Sequence, residues 1–254
     1  MRRTALFPTC VIDTVAGDVG MAVVRVLRSR GHDVDVPDDA TCCGQPGWNA
    51  GHVDEAAAVA KQTLGALATT TEDTICVPAG SCATMIRVYW PVLFRLVNDE
   101  ESAVAAEGLR DRVREFSELL SEDDKAMLPE DDQATGTTPG PTAAVAATAY
   151  HHSCHMLREL GIETQPEQAL QAAGIEPVEW DGERQCCGFG GTFAVKQPEL
   201  STAMADEKLE ALEELEVEQV VGCDTSCLLH LRGRAERRGM QLRFRHLAEV
   251  LDPT

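Results

Sequence analysis

The sequence predicts an α/β fold: two pseudo-symmetric, Rossmann-like domains with mostly parallel sheets. Three observations carry this expectation. Cys10, Cys42 and Cys43 have counterparts 144 positions later at Cys154, Cys186 and Cys187, and Cys82 has one 145 positions later at Cys227. A repeat with such even offsets marks two copies of one structural unit. In each copy short apolar strands alternate with amphipathic helical stretches, the pattern of a parallel sheet covered by helices. Finally, 254 residues suit two domains of ordinary size.

In the first copy, residues 4–8 read as a strand that ends at Pro8 and opens into the Cys10 loop. Residues 18–30 carry helical spacing, with Val19, Ala22, Val23, Val26 and Leu27 on one face and Gly31 as the stop. Residues 33–36 form a second strand, which leads to Cys42, Cys43 and Gly44. An Ala-rich amphipathic helix over 53–68 is followed by a strand at 74–78, the Cys82 loop and a helix over 83–97. The second copy repeats the scheme. Strands are expected at 145–150, 177–180 and 218–222, and helices at 166–173, 198–215 and 227–237. Loops behind the carboxyl ends of parallel strands gather at one sheet edge, where ligands bind. All eight repeated cysteines fall on such loops or at helix starts.

Residues 98–143 break the repeat. The stretch 100–120 reads as helical, whereas 121–143 is polar, acidic and rich in Gly, Pro and Thr, the composition of a linker. The expected division is a first domain over 1–120, an acidic linker over 121–143 and a second domain over 144–254. A lid formed by the linker is the alternative reading of that segment.

Hydrophobic residues make up 44% of the chain, enough for packed cores that need no disulfide staples. Forty-two acidic against 22 basic residues give a net charge of −20, and a polyanion such as nucleic acid is repelled by such a surface. Either a high-salt cytoplasm or a need for solubility accounts for this acidity. The start MRRTALFPTC is too short in apolar residues for a signal peptide, and no run long enough for membrane insertion occurs. A cytoplasmic location is therefore expected. In that reducing compartment ten cysteines point to metal ligation or redox work rather than disulfides.

Each copy brings one, two and one thiols from three separate loops. Four thiolates suit a structural zinc ion or an iron–sulfur cluster. Side chains of adjacent cysteines diverge, which is awkward around one small ion and suits a polynuclear cluster with separate attachment points. Gly44 and Gly188 let backbone amides approach the sulfurs and tune the potential. The expected cofactor is thus one or two [4Fe–4S] clusters held by Cys10, Cys42, Cys43, Cys82 and by Cys154, Cys186, Cys187, Cys227, with zinc as the alternative. Cys76, in a strand, reads as a small core hydrophobe. Cys223 reads as a core thiol, with a fifth ligand of the second set as the other possibility.

Candidate catalytic residues surround these loops. His151, His152 and His155 flank Cys154, and His155 is the candidate proton carrier or sulfur partner, against a plain helix-start role. Lys196, Arg87 and Arg232 are candidate cations for a substrate carboxylate, against ordinary surface ion pairs. Trp48 and Phe189 follow the double cysteines and read as shields. No nucleotide-binding glycine loop opens a helix, and no Ser-His-Asp arrangement is present.

Two resemblances follow from these motifs. The cysteine spacing resembles the CCG cysteine-rich domain found twice in heterodisulfide reductase B. That pattern has a further cysteine three positions before the last, where this chain has Ala79 and Asp224. The departure favours an ordinary four-thiolate cubane over the family's non-cubane cluster. Segments 7–14 (FPTCVIDT), 42–51 (CCGQPGWNAG), 78–82 (PAGSC), 151–156 (HHSCHM), 186–196 (CCGFGGTFAVK) and 246–251 (HLAEVL) resemble the lactate utilization protein A family over nearly the whole chain. The resemblance implies two CCG α/β domains and an iron–sulfur redox role in oxidising L-lactate to pyruvate. It also implies other iron–sulfur subunits as partners, without which the chain is inactive. A thiol/disulfide redox role like that of heterodisulfide reductase B, or a zinc-stabilised scaffold, are the alternatives.

Overall fold

The computed structural model describes residues 2–127 and 146–254. The first half runs β1 (Arg2–Leu6), α1 (Cys10–Val15), α2 (Gly17–Ser29), β2 (His32–Asp35), α3 (Gln45–Asn49), α4 (Val53–Ala68) and β3 (Thr74–Val77). It continues through α5 (Gly80–Thr84), a π-helical turn (Met85–Tyr89), α6 (Trp90–Leu96), α7 (Glu100–Arg110), β4 (Val113–Glu115) and α8 (Phe116–Met127). The second half runs β5 (Thr148–His151), α9 (Cys154–Glu159), α10 (Gln165–Ala172), α11 (Phe193–Lys196), α12 (Pro198–Glu213), β6 (Gln219–Gly222), α13 (Thr225–Arg237), β7 (Arg243–His246) and α14 (Leu247–Leu251).

Both sheets are parallel throughout. The first has the order β2-β1-β3-β4, and the second has β5-β6-β7. A single parallel bridge, Ala149 to Val178, stands in the second sheet where β2 stands in the first. The expected duplication of a Rossmann-like unit is therefore the architecture of the molecule. Strands buried on both faces, such as Thr148–His151, depend on apolar side chains above and below the sheet. Phe7, Leu64, Trp90 and Phe94 fill the first half, and Trp180, Leu209, Leu212 and Val220 the second.

Several expectations need correction. Residues 177–180 do not form a strand, because Pro177 has no amide to donate to a ladder; only Val178 pairs, donating to Thr148 O at 2.8 Å. The helix expected over 83–97 is broken by the π turn. Pro91 would drive its ring into the carbonyl one turn earlier, and the wider turn relieves that contact. The helix expected over 100–120 divides into α7, β4 and α8, since Glu115 acts as a helix cap: its Oε2 accepts from Ser117 N at 2.7 Å. The expected linker 121–143 begins inside α8, and its remainder from 128 lies outside the described residues. β7 and α14 were not anticipated from periodicity.

The halves exchange their last helices. α8, which closes the first sheet, packs on α10 of the second half, and α14, which closes the second sheet, packs on α2 of the first. One apolar cluster accordingly contains Val23, Leu27, Phe116 and Leu120 together with Leu170 and Leu247. The guanidinium of Arg25 grips the Asp252 carboxylate across the same junction, with Nε 2.9 Å from Oδ2. These contacts join the two halves around a pseudo-two-fold axis.

Candidate metal centre

Because every strand is parallel, the loops behind β1, β3, β5 and β6 emerge at carboxyl ends of the sheets, where they carry the cysteines. Cys10 starts α1, Cys82 lies in α5, Cys154 starts α9 and Cys227 lies in α13. The double cysteines precede α3 and α11. Their sulfurs meet: Cys10 Sγ lies 3.6 Å from Cys42 Sγ, Cys43 Sγ 3.1 Å from Cys82 Sγ, and Cys154 Sγ 3.9 Å from Cys186 Sγ. Cys187 Sγ and Cys227 Sγ lie within 4.8 Å of each other. The structure thus gathers all eight predicted cysteines into two sets of four.

The glycine behind each pair is required by its backbone. Gly44 and Gly188 have φ of 86° and 88°, a region that side chains other than glycine rarely adopt. A Cβ at Gly44 would sit 2.7 Å from Ala56 O, and one at Gly188 2.6 Å from Ser201 O. The turn therefore lies directly on α4 or α12 and points amides at sulfur. Gly44 N donates to Cys42 Sγ at 3.5 Å, Gly188 N to Cys186 Sγ at 3.4 Å, and Phe189 N to Cys187 Sγ at 3.5 Å.

This pattern favours the thiolate form of one cysteine in each set. Cys42 is pulled well below the usual thiol range by the hydrogen bond it accepts from Cys10, then by Cys43 and the Gly44 amide. Cys186 is pulled down in the same way by Cys154, Cys187 and the Gly188 amide. Cys10 and Cys154 move upward, chiefly through the bonds they donate to those thiolates and secondly through burial. A preformed thiolate beside protonated neighbours is a metal-binding set that releases protons as it fills.

Each set opens into a cavity closed by the other half. The first cavity is about 80 Å³ and the second about 300 Å³. Gln45, Ser81, Phe189, Asp224 and Ser226 line both, so the two share a wall. Asp224 binds this wall together: Oδ2 accepts from Ser81 N at 3.0 Å and Oδ1 from Ser226 N at 3.2 Å. His52 and Lys196, equivalent positions in the repeat, approach to 3.2 Å, which places them on the pseudo-two-fold axis.

Of the other candidates, His155 lies in the second cavity, with Nδ1 3.2 Å from Gln45 Nε2. Lys196 is exposed on the axis beside His52. Arg87 is engaged with Glu118 at 2.8 Å, and Arg232 pairs with Glu236 at 3.8 Å and lines a separate cavity with His246. Neither arginine lines either cysteine cavity. Cys76 and Cys223 are fully buried in the apolar cluster shared by the halves, and Tyr150 Oη donates to Cys223 Sγ at 3.4 Å. The sequence reading missed Lys208 and named His151 only as a neighbour of Cys154. Lys208 is buried beneath the second set, its Nζ 3.0 Å from Gln185 O and 4.7 Å from the Trp180 ring, and burial pulls its pKa down to about 8. The ring of His151 lies with Cys187 and Cys227 such that their ligand atoms fall within 4.8 Å of one another. The repeat itself held the signal, since the equivalent positions in the first half are Leu64 and Phe7.

Thiol donors, amides aimed at sulfur and one ionised cysteine per set fit a bound metal or metal–sulfur cluster. The fold and this site define a protein made of two cysteine-rich α/β domains. The family model of the CCG cysteine-rich domain matches residues 4–87 and 148–232. The chain is 39% identical over 251 residues to lactate utilization protein A of Geobacillus kaustophilus, covering 98% of each chain. It is 37% identical to lactate utilization protein A of Bacillus velezensis, covering 98% of this chain and 99% of that one. Lactate utilization protein A 2 of Bacillus cereus is 35% identical, with 98% and 97% covered. The chain belongs to the lactate utilization protein A family and carries two CCG domains. No described helix is long and apolar enough to cross a membrane.

Proposed function

We propose that this chain is the cysteine-rich redox component of a cytoplasmic system that oxidises L-lactate to pyruvate. The observation that carries the reading is the convergence of four thiols in each half onto one shared wall, in a chain whose relatives bear the lactate utilization name. [4Fe–4S] clusters in the two sets would supply one-electron transfer. Cys42 and Cys186 offer ready thiolates, and the amides of Gly44, Gly188 and Phe189 spread the negative charge of the sulfurs and raise the reduction potential. Phe189 covers both sets and keeps water from them.

Lactate surrenders two electrons and two protons, and its carboxylate needs a cation. Asp224, in the wall of both cavities, opposes an anion there; of the expected cations, Arg87 and Arg232 are engaged elsewhere and Lys196 lies beside His52, outside the lining of both cavities. Lactate is therefore bound by partner iron–sulfur subunits, and this chain carries electrons only. The acidic surface leaves nucleic acid out of the partnership. The test is an assay of the purified, metal-loaded chain with L-lactate and an artificial acceptor, with and without partner subunits. No turnover is expected from the chain alone; a rate on the order of 1 s⁻¹ or more would overturn this division of labour.

A second reading has one observation in its favour. Sulfur separations of 3.1–3.9 Å are close to the edge, about 3.8 Å, of a tetrahedron with zinc–sulfur bonds of about 2.3 Å. In that case each set holds a single zinc ion and the protein is a scaffold. Equal iron and acid-labile sulfide in anaerobically purified protein supports the cluster reading, and zinc without iron supports the scaffold.

A further inference from the structure

His151 ends β5 at the sheet edge that bears the cysteines, paired in register with Gly222 of β6. Its side chain is buried, and among the described residues neither Nδ1 nor Nε2 has a hydrogen-bond partner. The nearby carbonyl of Glu183 already accepts from the His152 amide at 3.0 Å. His152, by contrast, is engaged with Glu167 at 3.0 Å. Native proteins rarely leave a buried imidazole with both nitrogens unused, because each forfeits its bond to water. The fold does not demand a polar group here, since Phe7 fills the equivalent position of the first half and is equally buried. What distinguishes the second position is its neighbours. A ring nitrogen of His151 and the sulfurs of Cys187 and Cys227 lie within 4.8 Å of one another, a spacing that one metal atom can bridge.

We propose that His151 is a nitrogen donor to the metal centre held by Cys154, Cys186, Cys187 and Cys227. This inference rests on the metal-centre reading above. The second centre then has an imidazole among its ligands, whereas the first is bound by thiolates alone. An imidazole is a neutral donor, so a centre that includes one and a centre bound by thiolates alone differ in potential. The difference gives electron flow through the chain a direction.

The experiment uses the full chain, purified anaerobically with its metal, and follows metal content and release to a chromogenic chelator. The variants are H151F, H151C and H151Q. H151F copies the first-half residue, and circular dichroism checks that it folds. In H151F about half of the metal is expected to leave faster, on the order of tenfold, while the rest leaves at the wild-type rate. H151C, which supplies another metal donor, is expected to restore slow release, and H151Q is not. Unchanged release in H151F overturns the proposal, as does restoration by H151Q, which marks a hydrogen-bonding role. Should H151F not fold, slow release in H151C against fast release in H151Q supports the proposal, and equal rates in these two overturn it. A wild-type chain without metal removes the metal-centre reading itself, and the inference with it.

Discussion

Glu115 and His246 occupy the same place in the two halves, each between the last strand and the last helix, and burial shifts them in opposite senses. Desolvation raises Glu115 from 4.5 to about 7 and lowers His246 from 6.5 to about 4. A carboxyl group whose folded pKa is raised gives stability that is complete below pH 4.5 and lost as pH climbs through 7. A histidine whose folded pKa is depressed gives stability that is complete above pH 6.5 and lost as pH falls through 4. Each effect amounts to about 3 kcal/mol, and between pH 4.5 and 6.5 the two slopes oppose one another. The E115Q variant keeps the acceptor for Ser117 but no longer titrates. Its urea midpoint is expected to rise more steeply with pH across that window than that of the wild type. Equal slopes in the two proteins would show that Glu115 is not an opposing group. Neither residue stood out in the sequence. An isolated Glu or His says nothing of its burial, and here burial follows from the exchange of α8 and α14. The cysteines were legible because the repeat named them twice. His151 was named beside Cys154, yet nothing in the chain alone separates its orphaned ring from that of His152, which reaches Glu167.

Helices α4 and α12 act as beds for the double-cysteine turns. Their existence was plain from periodicity, and α4 occupies the expected 53–68. The closeness of turn to helix was not, because a carbonyl 2.7 Å from a would-be Cβ is a three-dimensional fact. Two glycines that touch α4 separate its roles. G44A places a side chain at φ 86° against Ala56 O, and a loss of about 1–3 kcal/mol is expected together with loss of metal from the first set only. Gly65 lies within α4 with open space at its Cβ, so G65A is expected to gain about 0.5–1 kcal/mol and keep its metal. Thermal midpoints and metal content check both, and metal retained in G44A would show that the close turn is dispensable. The short strands β4 and β7 escaped the sequence reading for a different reason. VRE and RFRH carry charges at alternate or flanking positions, so no apolar run announces them, and it is their parallel pairing with β3 and β6 that makes them strands. Conversely, 177–180 looked like a strand by analogy with 33–36, and Pro177 removed the donor that the ladder needs.

The molecule as a whole is a duplication that has become unequal at its centre. The pairs Phe7 and His151, Val11 and His155, Leu64 and Lys208, Ala79 and Asp224 all place the polar member in the second half, and His155 and Asp224 line the larger of the two cysteine cavities. Two similar sheets thus present a more apolar set of thiols and a more polar one across a shared wall. The central claim is that each set holds its own metal centre. The most direct measurement is the iron, sulfide and zinc content of anaerobically purified full-length protein, compared with C82S, C227S and the double variant. Iron and sulfide are expected in equal amounts, about half retained in each single variant and none in the double variant. Loss of all metal in either single variant, or no effect of one of them, would contradict two independent centres.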